Sequence, residues 1–242
     1  MYWGTALKET LAAIPLSPDF TAGGADAAAD VRFIHRRDGE AEIYFVANNR
    51  REMEHLDAGF RVTGKKPELW DPVTGKMRDA IAFRQEGDRT FLPLHLDPRG
   101  SAFVIFRTPV SADVTTGAPR AVPTFKKALT LKGPRTLAFA PGWGAPESVT
   151  FAALEDWSKR PEDGIKYFSG TAVYRTAFDW AGAAVGEVRL DLGDEAVIAE
   201  VKLNGTACGV AWTNPYRLDI SQALKPERHE VEIRVANTWP TV

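Results

Sequence analysis

The chain reads as an all-β protein: two antiparallel β-sandwich modules preceded by one short helix. Three observations carry that reading. Short runs of alternating apolar and polar residues recur from Val31 onward. Turn sequences separate them, among them Arg37-Asp38-Gly39-Glu40, Asp71-Pro72-Val73-Thr74-Gly75, Asp97-Pro98-Arg99-Gly100 and Asn204-Gly205. A stretch with three prolines and little periodicity, residues 109–124, divides the pattern in two. At 242 residues, with 44% hydrophobic and 26% charged content, the chain is long enough to bury two cores.

The first element is a helix over Thr5–Ile14, where Leu7, Leu11 and Ile14 share one face, Thr5 caps the start and Pro15 stops the end. Residues 21–30, rich in Ala and Gly, read as a flexible connector or surface loop, so that 1–30 is helix plus connector. The first sandwich spans 31–108. Its strands are Arg32–His35, Ile43–Ala47, Ala58–Thr63, Glu68–Trp70, Thr90–Leu96 and Ser101–Arg107, the last two joined as a hairpin. After the linker, the second module spans 125–242. Its eight strands are Leu129–Leu131, Thr136–Ala140, Val149–Phe151, Ala172–Phe178, Glu187–Leu192, Ile198–Leu203, Tyr216–Asp219 and Val231–Ala236. In the last, Val231, Ile233 and Val235 face one way, and Glu232 and Arg234 the other. Eight strands of this kind fit a jelly roll.

Composition excludes several function classes. The net charge is −2 and no long basic run appears, so nucleic acid is not an expected partner. No apolar stretch reaches the length of a membrane span, and residues 1–16 lack a signal-peptide pattern. The single cysteine, Cys208, makes no internal disulfide and reads as a small packed residue. The histidines, 35, 55, 95 and 229, are scattered, without a nucleophile motif beside them.

Tyr167-Phe168-Ser169-Gly170-Thr171-Ala172-Val173-Tyr174-Arg175, Val201-Lys202-Leu203-Asn204-Gly205, Trp212-Thr213-Asn214-Pro215-Tyr216-Arg217 and Val231–Asn237 together resemble the sugar-binding jelly roll of family 2 glycoside hydrolases. The resemblance is closest to the version found in glycoside hydrolase family 106, the α-L-rhamnosidases. Phe33–Arg37, Ile43–Asn48 and Glu68–Gly75 resemble the β-domain that follows the barrel in the same family. Two departures stand out: Arg135 occupies a position where the family tends to place an aromatic residue, and the sequence stops at Val242 where the family continues. The resemblance implies a carbohydrate substrate class, and a galactose-binding-like second module. It also implies that the general acid and base lie in a catalytic barrel outside this chain, so that no catalytic residue is inherited here, no cofactor is required, and the resembling enzymes are often exported.

Sugar recognition needs an aromatic face and planar polar side chains. Trp212, Asn214, Tyr216 and Arg217 supply both within six residues, unless Trp212 and Tyr216 plug the end of the sandwich while Asn214 starts a turn. Trp143, between Gly142 and Gly144, and Trp157 are further candidates. Hydrolysis needs two carboxyl groups, and the segment 154–167 has the densest supply: Glu155, Asp156, Glu162 and Asp163. The alternative for that segment is a solvated charged loop anchored by Trp157. Asp191, Asp194 and Glu195 around a glycine turn are candidate ligands for a structural calcium ion, with turn chemistry as the plainer alternative. Three functional readings follow. The first is a carbohydrate-binding accessory region of a glycoside hydrolase acting on an oligosaccharide or polysaccharide. The second is a small stand-alone glycosidase using the 155–163 carboxylates. The third is a structural partner of a separate catalytic barrel chain.

Overall fold

The computed structural model describes residues 17–24, 26, 28–80, 82–110, 125–182, 186–193 and 198–237. The Thr5–Ile14 helix, most of the 109–124 linker, Asp194 and Glu195 lie outside them. The chain forms two compact units, Met1–Thr124 and Phe125–Val242.

The first unit is a sandwich of two antiparallel sheets. Its strands are β1 (Phe20–Gly23), β2 (Val31–Asp38), β3 (Ala41–Asn48), β4 (Glu54–Phe60), β5 (Lys65–Trp70), β6 (Met77–Asp79), β7 (Arg84–Glu86), β8 (Arg89–Leu96) and β9 (Ser101–Pro109). They order as β1-β4-β8-β7 and β2-β3-β9-β5-β6. Alternation drives the assembly: Tyr44 and Val46 of β3, Leu56, Ala58 and Phe60 of β4, Leu92, Leu94 and Leu96 of β8, and Val104 and Phe106 of β9 meet in one core.

Gly39 adopts φ 55° in the Gly39-Glu40 turn between β2 and β3, and Gly75 adopts φ 69° in the β5–β6 turn, whose Asp71 Oδ1 accepts from Val73 N at 2.8 Å. Two expectations fail. The connector expected over 21–30 opens with β1, which pairs with β4 from Phe20↔Phe60 to Gly23↔Asp57. Small residues suit this, because Gly59 of β4 lies under Thr21 and Phe91 with no room for a Cβ. Asp97–Gly100 is not a hairpin either: β8 and β9 belong to different sheets, and the turn carries the chain from one layer to the other. Local turn chemistry looks the same in both cases; only the pairing partner differs.

Asp19 ties the start of the described chain to this sandwich. Its carboxylate accepts from Arg61 Nη2 at 3.1 Å and from the Tyr44 hydroxyl at 3.2 Å, and meets His35 Nδ1 at 2.8 Å. The His35 ring stacks on Tyr44 at 4.0 Å between centroids, and its Nε2 meets Glu42 at 2.8 Å. Burial opposes ionisation of Asp19, but His35, Arg61 and Tyr44 outweigh it and hold the carboxyl below its usual range.

The second unit holds β10 (Arg135–Phe139), β11 (Ser148–Phe151), β12 (Thr171–Asp179), β13 (Arg189–Asp191), β14 (Ile198–Leu203), β15 (Thr206–Ala211), β16 (Arg217–Asp219) and β17 (Arg228–Ala236). A one-turn helix, α1 (Asp163–Lys166), precedes β12. The strands divide into a six-stranded sheet, β11-β10-β12-β17-β14-β15, and a two-stranded sheet, β13-β16. The expected strand Leu129–Leu131 is irregular chain, and β15 was not foreseen, because Gly209 and alternate small residues blur its period. Arg135, the departure noted in the sequence, is buried; its guanidinium donates to the Gly133 and Leu131 carbonyls at 2.7 and 2.6 Å, meeting acceptors that an aromatic ring would leave unmet. Asn204 and Gly205 adopt φ 48° and 79°, the two-residue turn the sequence called for between β14 and β15.

The outward sheet faces of the two units differ in chemistry. In the six-stranded sheet, Arg175, Glu232 and Lys202 form one transverse row, and Val173, Arg234 and Glu200 the next. Arg175 reaches Glu232 at 2.9 Å, and Arg234 lies 3.7 Å from Glu200. That is a solvated face. In the five-stranded sheet of the first unit, Ile34, Phe45, Phe103, Trp70 and Met77 stand in one row across all five strands. Ile34 is 56% and Met77 63% exposed, and the Phe45 and Phe103 rings lie 5.0 Å apart.

Candidate functional site

Strand register brings the chain segments that carry two candidate aromatic residues, Trp143 and Trp212, to one end of the six-stranded sheet. Phe139 pairs with Ala172, Thr171 and Ile198 both pair with Ala236, and Ala199 pairs with Ala211. The β10–β11 connection that carries Trp143 and the chain leaving β15 at Trp212 therefore emerge from the same end. Four strand intervals separate β10 from β15, about 19 Å at the usual inter-strand spacing.

Trp143 is 66% exposed. Its neighbours Gly142 and Gly144 take φ 84° and 87°, a backbone that side chains resist, so the glycines make the turn that holds the indole outward. The same turn rests on α1: Gly164 sits so close to the Gly144 carbonyl that a Cβ would overlap it. Tyr167, the residue after α1, is 56% exposed with Lys166 Nζ 5.1 Å from its ring centroid. Sequence reasoning did not single out Tyr167; its signal was its place at the end of the polar segment, just before Phe168 turns inward. Asn237 fixes that segment, accepting from Gly170 N at 2.9 Å and donating to the Phe168 carbonyl at 3.0 Å. Beside these loops lies an open depression of about 350 Å³ lined by Ala138, Phe139, Ala140, Thr171, Val173 and Arg234.

The other aromatic candidates separate. Trp212 is 52% exposed and Asn214, cis to Pro215, is exposed, whereas Tyr216 is buried. Tyr216 is turned inward, whereas Trp212 projects from the surface. Arg217 is committed to Asp191, its cross-strand partner, at 2.8 Å. Trp157 is no exposed face. It packs against Phe139 at 5.7 Å, Phe168 at 5.9 Å and Tyr174 at 6.4 Å, closing the core around Ile165 and Phe168.

The carboxylates of 155–163 are occupied by local partners. Asp156 caps the short 3-10 turn Trp157–Lys159, accepting from Ser158 N at 3.0 Å and Ser158 Oγ at 2.7 Å, and those bonds hold its carboxyl low. Arg160 binds Glu155 at 2.9 Å and Glu162 through two nitrogens. The same arginine lowers the Glu162 pKa. Asp163 stands exposed in the first turn of α1, where the helix dipole favours a negative charge. A glycosidase acid needs its pKa raised and a second carboxyl group facing it across a bond; Asp156 and Glu162 are instead held low by their partners. Asp191 also accepts from Gly193 N at 2.9 Å, the turn chemistry offered as its plainer reading. Among the described residues no cluster of three His, Cys, Asp or Glu forms a metal centre, and no helix is long and apolar enough to cross a membrane.

Comparison with known proteins bears out the resemblance read from the sequence. Residues 1–85 match glycoside hydrolase family 106, described as α-L-rhamnosidase. The solved structure of a rhamnosidase from Novosphingobium sp. PP1Y is 42% identical with a TM-score of 0.83, over 96% of this chain and 22% of that one. A Formosa agariphila protein that carries a provisional β-glucuronidase name is 43% identical over 95 residues, 38% of this chain and 8% of the relative. The chain thus spans about a fifth of the solved relative and less than a tenth of the curated one, and it is related to glycoside hydrolases across both of its units.

Proposed function

We propose that this chain is a carbohydrate-recognising, non-catalytic β-region of a glycoside hydrolase, taking an oligosaccharide or polysaccharide at the loop end of its second unit. The observation that carries the reading is the pair of exposed indoles, Trp143 and Trp212, on loops leaving the same end of one sheet. Each offers a flat apolar face of the kind that packs on the C–H side of a pyranose, while Asn214 supplies hydrogen-bonding groups beside Trp212. An open, shallow surface buries little of a ligand, so dissociation constants of about micromolar to millimolar are expected. The commitment of Glu155, Asp156 and Glu162 to Arg160 and Ser158 favours recognition over cleavage by this chain.

Calorimetry against rhamnose-, galactose-, arabinose- and xylose-containing glycans tests the proposal. Binding to at least one class, lost in the Trp143→Ala/Trp212→Ala double variant, supports it. Silence toward all of them by the folded chain removes it.

A second reading, pairing with a catalytic protein body, draws on a different surface. The apolar row from Ile34 to Met77 on the first unit is unlike the charged face of the second, and the matched rhamnosidase has nearly four-fifths of its chain outside the region of likeness. Copurification of this chain with a barrel-bearing hydrolase, abolished by Phe45→Lys, is the outcome expected on that reading.

A further inference from the structure

We infer that His55 and His95 form a solvent-open site for a late first-row divalent cation such as Ni²⁺, Zn²⁺ or Cu²⁺, on the outer face of the four-stranded sheet. The two residues are direct partners in the β4–β8 ladder, between Glu54↔Leu96 and Leu56↔Leu94. The alternation that sends Leu56, Leu94 and Leu96 into the core sends both imidazoles outward, and both are exposed. Their Nδ1 atoms lie 2.5 Å apart, with ring centroids at 4.8 Å and planes at 68°. Both Nδ1 atoms face a common point, the arrangement from which a two-nitrogen chelate is made. Opening the pair slightly lets both nitrogens bind one metal at about 2.0–2.1 Å, a small side-chain movement on an exposed pair whose backbones the ladder holds fixed.

Elimination strengthens the assignment. The whole sequence has four histidines and one cysteine. His35 is held between Asp19 and Glu42, each at 2.8 Å. His229 is fully buried, with Asn204 at 3.2 Å from Nδ1 and the Lys225 carbonyl at 2.7 Å from Nε2. Cys208 is a lone thiol. Among the described residues, metals that prefer imidazole over oxygen donors therefore find a two-nitrogen chelate at His55 and His95. Asp57, two residues along β4 on the same face, is engaged by Arg84 through bonds of 2.8 and 2.6 Å. With no third His, Cys or carboxylate joining them among the described residues, the remaining coordination positions go to water or to an added ligand.

Titration of the full chain with NiCl₂ and ZnCl₂, followed by calorimetry and thermal melting, tests the site. One equivalent of metal is expected, with a melting temperature that climbs with metal concentration. His55→Asn and His95→Asn each weaken binding at least tenfold, while Cys208→Ser binds as the parent does. Histidine ring NMR signals of 55 and 95 shift on metal addition and those of 35 and 229 stay put, a readout independent of stability. No saturable binding up to millimolar metal, undiminished binding in the double asparagine variant, or an equal response to Mg²⁺ would each overturn the assignment.

Discussion

Arg160 grips Glu162 through two hydrogen bonds, Nε to Oε2 at 3.0 Å and Nη2 to Oε1 at 2.5 Å. Its third nitrogen reaches Glu155 at 2.9 Å, and its guanidinium carbon lies 5.0 Å from the Phe151 ring centroid. One cation thereby binds two of the four carboxylates best placed in sequence for hydrolysis. The expected consequence is concrete: Glu155→Gln and Asp163→Asn leave turnover of nitrophenyl glycosides by this chain at background, indistinguishable from the parent. A parent rate well above background that either substitution removes would restore a catalytic role to the loop.

The two outward indoles and the inward one separate function from folding. Trp143→Ala and Trp212→Ala should each weaken glycan binding by about two- to tenfold, the scale of one aromatic contact, with unchanged melting curves. Trp157→Ala should instead cost about 3 kcal/mol of stability, because it opens a cavity against Phe139 and Phe168. Denaturant melts run beside calorimetry on the three variants check both halves.

Acid should loosen the first unit through Asp19. Its folded pKa lies below the ordinary 3.8, so its ion-pair stabilisation is fully present above that value and is lost as pH falls through the depressed one. Urea midpoints should be flat with respect to this group above about pH 5 and decline below pH 4. Asp19→Asn lowers the neutral-pH midpoint and flattens the decline; an unchanged acid limb in that variant would assign it to other carboxylates.

Asn204 does two jobs in the β14–β15 turn. It adopts positive φ, and its Oδ1 accepts from Glu230 N at 2.7 Å while Nδ2 donates to His229 Nδ1 at 3.2 Å. Asn204→Ala should therefore destabilise the second unit by about 2 kcal/mol, the sum of left-handed strain and a lost hydrogen bond. Asn204→Gly, which relieves only the strain, should recover about half. Equal losses in both variants would place the whole cost in the hydrogen bonds.

Much of the fold was legible because its causes are local. The run Ile198–Leu203 and the Asn204-Gly205 turn carry their own period and backbone preference, and the structure places both as read. β15 escaped because Ala207, Cys208 and Gly209 carry too little side chain for a period of two to show. The candidate site was legible only in part. Trp143 between its two glycines does stand exposed, but nothing near Trp157 in sequence says that Phe139 and Phe168 cover it.

The sequence by itself determined the all-β class, most strand positions, the tight turns and the likeness to rhamnosidases, since propensity, alternation and turn chemistry act over a few residues. Tertiary structure alone decided which strands became neighbours. That choice made Asp97–Gly100 a link between sheets, set His55 opposite His95, and brought Trp143 and Trp212 to one end. Pairing across forty or more residues is settled by where buried side chains fit together, a property of the closed core that no local window contains.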